Sequence, residues 1–412
     1  MNNVVFYFPS RKIGGVQVLF SVLSELLSEE LSVYVVDYKN GYLSKNRTDS
    51  VGLIPFDKKN KAIIPEGSVL IAQADNAINI DDFLSIPDST KLFFWYLHPY
   101  NLKVIVPFLK KWQLINWWFI KLLSKTILNK DAKKIETVIK LAHENKALHF
   151  MDGSTYDVCE NLLGCKLEEP SYAPVVNNEF NVDKDYCFTS SDNRMNICYL
   201  GRVDNDFKLE MIKKVISDLL TYNTRNNDEL RLTIIGDGPG LVHLKRFSEK
   251  KKCININYIS RLEKQDLVDY LSNQVDILFA MGMSAVEGAK LKIPTVCLDA
   301  AYTAVSDKYK YRWLFESKNY SLGYILRNNY IPPENTMNFN ELINALKNKP
   351  DYISDKTFLF YQQYYNNKEN FDNFKLKLFS TNLKYIDLKE NGLNIFGVRD
   401  VIKYFKNNLM IK

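Results

Sequence analysis

Glu287 and the glycine turn ahead of it carry the most readable chemistry in this chain. Residues 276–300 run DILFAMGMSAVEGAKLKIPTVCLDA. A short apolar stretch ends in the loop Met281-Gly282-Met283, and a helix-compatible segment starts at Ser284 with Glu287 in its first turn. A second apolar run, 294–298, follows. A helix that starts behind a glycine turn presents unpaired N–H groups and the positive end of its dipole, which makes an anion site. A carboxylate in that same turn would repel the anion but accepts hydrogen bonds from hydroxyls beside it. Phosphate next to vicinal hydroxyls describes a nucleotide or a nucleotide-sugar. An ordinary βαβ crossover, with Glu287 merely complementing the helix dipole, would show the same pattern.

The elements that must position these groups are legible from periodicity. Strand candidates in the first half are NVVFYF, LSVYVVDY, VLIAQ (69–73), KLFFWYL (91–97) and ALHFM (147–151). After the loop PSRKIGG, apolar residues at 19, 22, 23, 26 and 27 mark one face of a helix. A polar, turn-rich stretch at 174–195 reads as an interdomain connection. A second alternating series follows: MNICYLGR, a helix in KLEMIKKVISDLL, LRLTIIGDG, a helix near 240–250, INYIS, a helix near 264–273, then DILFA and the segment above. Alternating β and α elements imply parallel, doubly wound sheets. Residues 339–347, 355–385 and 396–407 read as helices.

Bulk properties bound the rest. At 412 residues the chain suits two domains rather than one core, and 46% hydrophobic with 25% charged residues is a globular composition. Six Cys are scattered without a C-x-x-C pair beside only four His, which indicates neither a zinc site nor a disulfide framework and fits a reducing cytosol. No signal peptide is evident, and no apolar run reaches the ~18–20 residues needed to span a bilayer. Residues 102–134 hold eight lysines and one aspartate, against a net charge of +6 for the whole chain, so the remainder is close to neutral. That concentration argues against nucleic-acid binding spread over the protein.

Four ordered motifs, ICYLGRVDNDFK, RLTIIGDGPG, INYISRLEKQDLVDYLSNQVDIL and MGMSAVEGAKLKIPTV, resemble those of glycosyltransferase family 4, retaining enzymes of the GT-B fold. The resemblance covers about residues 195–300, and the turn at Gly14-Gly15 extends it to residues 1–30. It implies two Rossmann-like domains facing a central cleft: residues 1–185 as an acceptor-binding domain on which C-terminal helices from about 355 to 412 pack back, and 190–354 as the nucleotide-sugar domain. It implies that Arg202 and Lys208 stabilise the charge on a departing nucleoside diphosphate. Amides near Gly282, Met283 and Ser284, with Gly201, would hold the phosphates, and Gly14 and Gly15 would approach them from the other wall. Glu287 would accept from the ribose hydroxyls, and Ile259 and Leu262 would flank the base. His98, in WYLHPYN after an apolar run, would touch donor or acceptor. The loop Met151-Asp152-Gly153-Ser154 is a further candidate to reach the acceptor. The family often carries a second glutamate eight residues before the one aligned with Glu287; here that position is Phe279. With two cations, backbone phosphate sites and no D-x-D placed for a metal, the expectation is metal-independent catalysis with no cofactor.

Residues 104–134 interleave Trp112, Trp117 and Trp118 with Ile, Leu, Phe and lysines including Lys121 and Lys125. Tryptophan suits the headgroup level of a bilayer and lysine is drawn to anionic lipid, so this segment is expected to face a membrane. The combined expectation is a cytoplasmic hexosyltransferase associated peripherally with the inner face of the cytoplasmic membrane. It would move a sugar, most simply from a UDP-sugar, to a lipid-linked or growing glycan in bacterial surface-polysaccharide assembly such as lipopolysaccharide or capsule. Two alternatives stay open: a sugar-nucleotide epimerase of similar fold, and a non-catalytic nucleotide-sugar or glycan-binding partner of an assembly complex.

Overall fold

Valine, isoleucine and aromatic residues dominate the apolar runs of the first 150 positions, and in the computed structural model these runs form one parallel sheet. The structure describes residues 3–12, 14–98, 101, 117–176, 194–226, 229–251, 256–260, 262, 264–327, 330–395 and 397. The strands are β1 (Asn3–Tyr7), β2 (Ser32–Asp37), β3 (Val51–Pro55), β4 (Ser68–Gln73), β5 (Lys91–Tyr96) and β6 (Leu148–Phe150). Their order is β3-β2-β1-β4-β5-β6, all parallel, with Asn3 in register with Ser32 on one side and Ser68 on the other. The sequence reading misses β3, a strand with a glycine inside and a proline at its end, which is tolerated because it lies at the sheet edge. The helix Gly15–Ser28 buries Leu19, Phe20, Leu23 and Leu27 against this sheet.

The second unit repeats the plan. Its strands are β7 (Arg194–Leu200), β8 (Glu229–Ile235), β9 (Ile256–Ile259), β10 (Ile277–Ala280) and β11 (Thr295–Cys297). They run in the order β9-β8-β7-β10-β11, again parallel. In both sheets the order reverses beside the first strand, between β1 and β4 and between β7 and β10. Such a switch point leaves a crevice outside the carboxyl ends of two strands whose connections diverge, and ligands of doubly wound sheets bind there.

The chain divides into unit 1, Met1–Glu179 with Asn367–Lys412, and unit 2, Phe180–Asn366. The return to unit 1 therefore falls at Asn367, later than the position near 355 that the sequence suggested. The helix Pro350–Tyr365 is held in unit 2, where Ser354 Oγ donates to Lys292 O at 2.6 Å and Tyr365 donates to Tyr320 O at 2.5 Å. The next helix, Asn367–Ser380, is part of the first core: Phe374 stacks on Trp95 with centroids 5.2 Å apart. Behind it Leu92 N donates to Leu383 O at 2.9 Å and Thr381 Oγ1 donates to Leu92 O at 2.6 Å. The expected helix at 396–407 lies outside the described residues except Gly397.

Candidate functional site

The switch point of unit 2 gathers most of the predicted donor residues. Strand β7 ends at Leu200 and its loop carries Gly201 and Arg202; strand β10 ends at Ala280 and turns through Met281 and Gly282 into the helix Met283–Lys290. A Cβ built on Gly201 would sit 3.5 Å from Lys208 Nζ and 3.7 Å from Ser284 Oγ, so the ammonium and the hydroxyl converge over that glycine. Gly282 adopts φ 65°, ψ −147°, a conformation open essentially to glycine alone, and nothing lies within 4 Å of where its side chain would be. No side chain caps this helix; Ala285 N donates to Gly282 O at 3.0 Å, while the amides of Met283 and Ser284 have no acceptor within the helix. Glu287 is three residues after Ser284 and therefore on the same helix face.

The Gly-Asp-Gly-Pro motif works one layer behind. Gly201 N donates to Ile235 O at 3.0 Å and Val203 N to Asp237 O at 2.7 Å, so the loop after β8 braces the loop after β7. A Cβ on Gly236 would collide with the Gly201 carbonyl, which is why that contact demands glycine. These glycines seat the Arg202 loop.

The electrostatics fit an anion. Burial and the nearby Arg202 guanidinium lower the Lys208 pKa below the ordinary lysine value, a shift that a bound phosphate would reverse. Arg202 is largely exposed and its Nη2 pairs with Asp204 Oδ2 at 2.6 Å. It is thus a partly neutralised cation rather than a free one. Burial raises the Glu287 carboxyl above its usual range, opposed by Lys290. Among the described residues its carboxylate makes no hydrogen bond or ion pair, so its acceptor capacity is open to a ligand. Ile259 closes β9 half-buried, its carbonyl accepting from Gly236 N at 2.9 Å, and Leu262 is half-buried beside it in sequence.

Phe279 is no surrogate for a sugar-binding glutamate. It lies wholly buried within β10 and packs on Phe339 and Tyr311, both at 5.9 Å between centroids. Only Met281 and Gly282 separate strand from helix, so counting back eight residues from Glu287 lands inside the strand instead of on a loop. At the position of the family's second glutamate this chain therefore places a core aromatic at the end of β10.

Sequence reasoning also missed a buried polar network at the end of β11. Asp299 accepts from Arg312 Nη1 at 2.9 Å, Tyr324 N at 2.9 Å, the Tyr309 hydroxyl at 2.8 Å and Asn335 Nδ2 at 2.8 Å. Arg312 also donates to Ser317 Oγ, Asn335 Oδ1 and Cys297 Sγ. Both charged residues are fully buried. The network anchors the stretch after β11, whose Ala301 N donates to Phe207 O at 2.8 Å, next to Lys208. A cavity of about 670 Å³ begins at Ala301 and is lined by Thr303, Ser306, Lys308 and Arg327. Among the described residues no three His, Cys, Asp or Glu side chains group so as to hold a metal ion.

In unit 1, Gly14 caps the helix Gly15–Ser28 in an extended conformation, and a Cβ on Gly15 would meet nothing within 4 Å. His98 is exposed just past β5, its amide donating to Asn101 Oδ1 at 2.7 Å. Asp152 and Ser154 are buried: Asp152 caps the helix Gly153–Leu163, accepting from Thr155 N at 2.9 Å and from Ser154 Oγ at 2.8 Å. Those polar groups serve the cap. The helix Trp117–Lys125 splits its tryptophans. Trp117 is buried, contrary to its expected place on a membrane-facing surface, while Trp118 is 72% exposed and Leu122 43% exposed. Lys121 and Lys125 are exposed on the same helix. Trp112 lies outside the described residues. Among the described residues no helix is long and apolar enough to cross a membrane.

No family model matches the chain, and no curated protein matches it in sequence. Its structure is similar to HepE (Alr3699) from Anabaena. The HepE crystal structure in complex with UDP matches with a TM-score of 0.51 at 10% identity, over 92% of this chain and 100% of that one. The complex with UDP-glucose matches with a TM-score of 0.50 at 12% identity, over 92% and 99%. At such identities the likeness is one of fold. The fold is α/β of the GT-B class, with two doubly wound units in one chain.

Proposed function

We propose that this protein is a retaining glycosyltransferase that moves a sugar from a UDP-sugar to a lipid-linked or growing glycan in surface-polysaccharide assembly. The convergence of Lys208 Nζ, Ser284 Oγ and an uncapped helix N-terminus over Gly201 carries the reading. The shared fold with a protein crystallised with UDP and UDP-glucose supports the choice of donor. In this reading the helix amides and Ser284 hold the diphosphate, and Lys208 and Arg202 stabilise the negative charge that grows as the glycosidic bond breaks. Glu287 accepts from the ribose hydroxyls, and Ile259 and Leu262 flank the base. The acceptor hydroxyl attacks from the face that the diphosphate leaves, with the two cations doing the electrostatic work a metal does elsewhere; chelator should therefore leave turnover intact. His98 and the Gly14-Gly15 helix start are assigned to unit 1's part of substrate binding. The exposed face with Trp118, Leu122, Lys121 and Lys125 holds the protein at the inner surface of the cytoplasmic membrane.

Calorimetry with UDP, GDP, ADP and dTDP sugars, run with and without chelator, tests the donor assignment. Lys208→Ala and Arg202→Ala should each lower transfer about 100-fold while the circular dichroism spectrum stays that of the parent. Near-normal turnover in both variants would overturn the assignment. Conversion of the donor without any acceptor would point to an epimerase instead.

A further inference from the structure

We infer that unit 1 carries a basin for an anionic saccharide, one bearing phosphate or carboxylate groups, and that the acceptor of the proposed transfer docks there; the second half of this inference rests on the function proposed above. Three loops leave the carboxyl ends of the adjacent strands β1, β2 and β3 and border an open hollow of about 820 Å³. Arg11, Lys12, Lys39, Lys58 and Lys59 line it, with Asp57 as the only carboxylate among the described lining residues. That volume falls within the usual range for small-ligand sites.

A lysine-rich turn on a protein surface is usually just solvated, and two observations separate this basin from that case. The first is its floor. Asp37 is fully buried, and its carboxylate accepts from Ser10 N at 2.9 Å, Tyr38 N at 2.8 Å and Ser44 N at 3.2 Å. Its carbonyl accepts from Phe56 N at 2.8 Å. One residue thereby ties all three loops together, and the basic side chains rise from a fixed backbone rather than from independent turns. Arg11 is also held, with its guanidinium 4.6 Å from the Tyr38 ring centroid.

The second observation is charge left unneutralised. Asp57 turns its carboxylate to its own loop, accepting from Lys59 N and Asn60 N at 2.7 Å each. Among the described residues none of the five cations is in an ion pair. A cluster of positive charges in a concave site focuses its field and favours anions, and guanidinium with ammonium groups recognises phosphate and carboxylate oxygens alike. The size of the hollow and the three short loops that bound it suit a saccharide unit rather than an extended polyanion.

The test is an NMR titration of the full chain with trigalacturonic acid, glucose 1,6-bisphosphate and neutral maltotriose, repeated on a variant carrying Arg11→Gln, Lys39→Glu and Lys58→Glu. These side chains are exposed and outside the donor site, so UDP affinity and the melting temperature should match the parent. At least one anionic probe should bind about tenfold or more tightly than maltotriose, weaken with added salt, and lose that margin in the variant. Preference for the uronate or for the bisphosphate identifies which group the basin reads. Equal binding of all three sugars, or anion binding unchanged in the variant, overturns the proposal. So does binding of phosphatidylglycerol vesicles through these residues with no oligosaccharide binding. Loss of UDP binding by the parent chain would sink the proposed function instead, and leaves the basin's own titration to be judged separately.

Discussion

Lys208 and Glu287 are each placed where their charged form is disfavoured until a ligand arrives. Because burial lowers the Lys208 pKa, its ammonium loses its proton at a lower pH than an exposed lysine does, and the anion site weakens as pH rises through that range. UDP affinity in the parent chain should therefore fall as pH rises through a range below that of an ordinary exposed lysine. The fall should be smaller in Lys208→Arg, whose guanidinium stays charged; identical pH profiles would remove Lys208 from the site. Glu287 has the opposite sign. Its raised pKa means that the folded state carries a disfavoured carboxylate at neutral pH, and that this penalty disappears as pH falls through the raised value. Glu287→Gln should melt above the parent at pH 7, converge with it in acid, and bind UDP more weakly. The residue types here were legible: a carboxylate in a first turn and two cations after a strand are readable spacings. That Phe279 is a core residue of β10 was not legible, because a residue count does not show that the strand runs on to Ala280.

Element by element, the alternating pattern of apolar runs foretold ten of the eleven strands of the two main sheets, since parallel strands buried on both faces read as short continuous hydrophobic segments. The Asp299–Arg312 network was not foretold, because its members come from an irregular stretch that no periodicity marks. It is nonetheless what fixes the segment beside Lys208. Arg312→Met leaves Asp299 buried without its cation, and removing one partner of such a pair costs about 3–5 kcal/mol. Urea unfolding of unit 2 should show a loss of that size, and the double variant with Asp299→Asn should recover part of it. A loss below about 1 kcal/mol would mean that the network does not hold this element.

For the molecule as a whole, the question is what surface it meets. The net charge concentrated in 102–134 continues into a described helix that exposes Trp118 and Leu122 beside two lysines. Each such side chain inserted in a headgroup layer is worth roughly 1.5–3 kcal/mol. Trp118→Ser with Leu122→Ser should weaken binding to phosphatidylglycerol vesicles by at least tenfold while leaving UDP affinity unchanged, as read by flotation and calorimetry; unaltered flotation would remove this face from the membrane. How the apolar and basic residues of that segment divide between core and surface was not legible, since adjacent tryptophans differ only in the helix face they occupy.

The stacking of Phe374 on Trp95 has one more consequence, for biosynthesis. Unit 1 is discontinuous, so its sheet emerges from the ribosome long before the helix that covers one of its faces. Unit 2 is an uninterrupted stretch that can complete its core first, while the earlier strands wait with Trp95 and Phe93 uncovered. A released chain truncated at Asn366 should therefore hold unit 2 folded and present an aromatic patch to chaperones, which the last helices seal in the full chain.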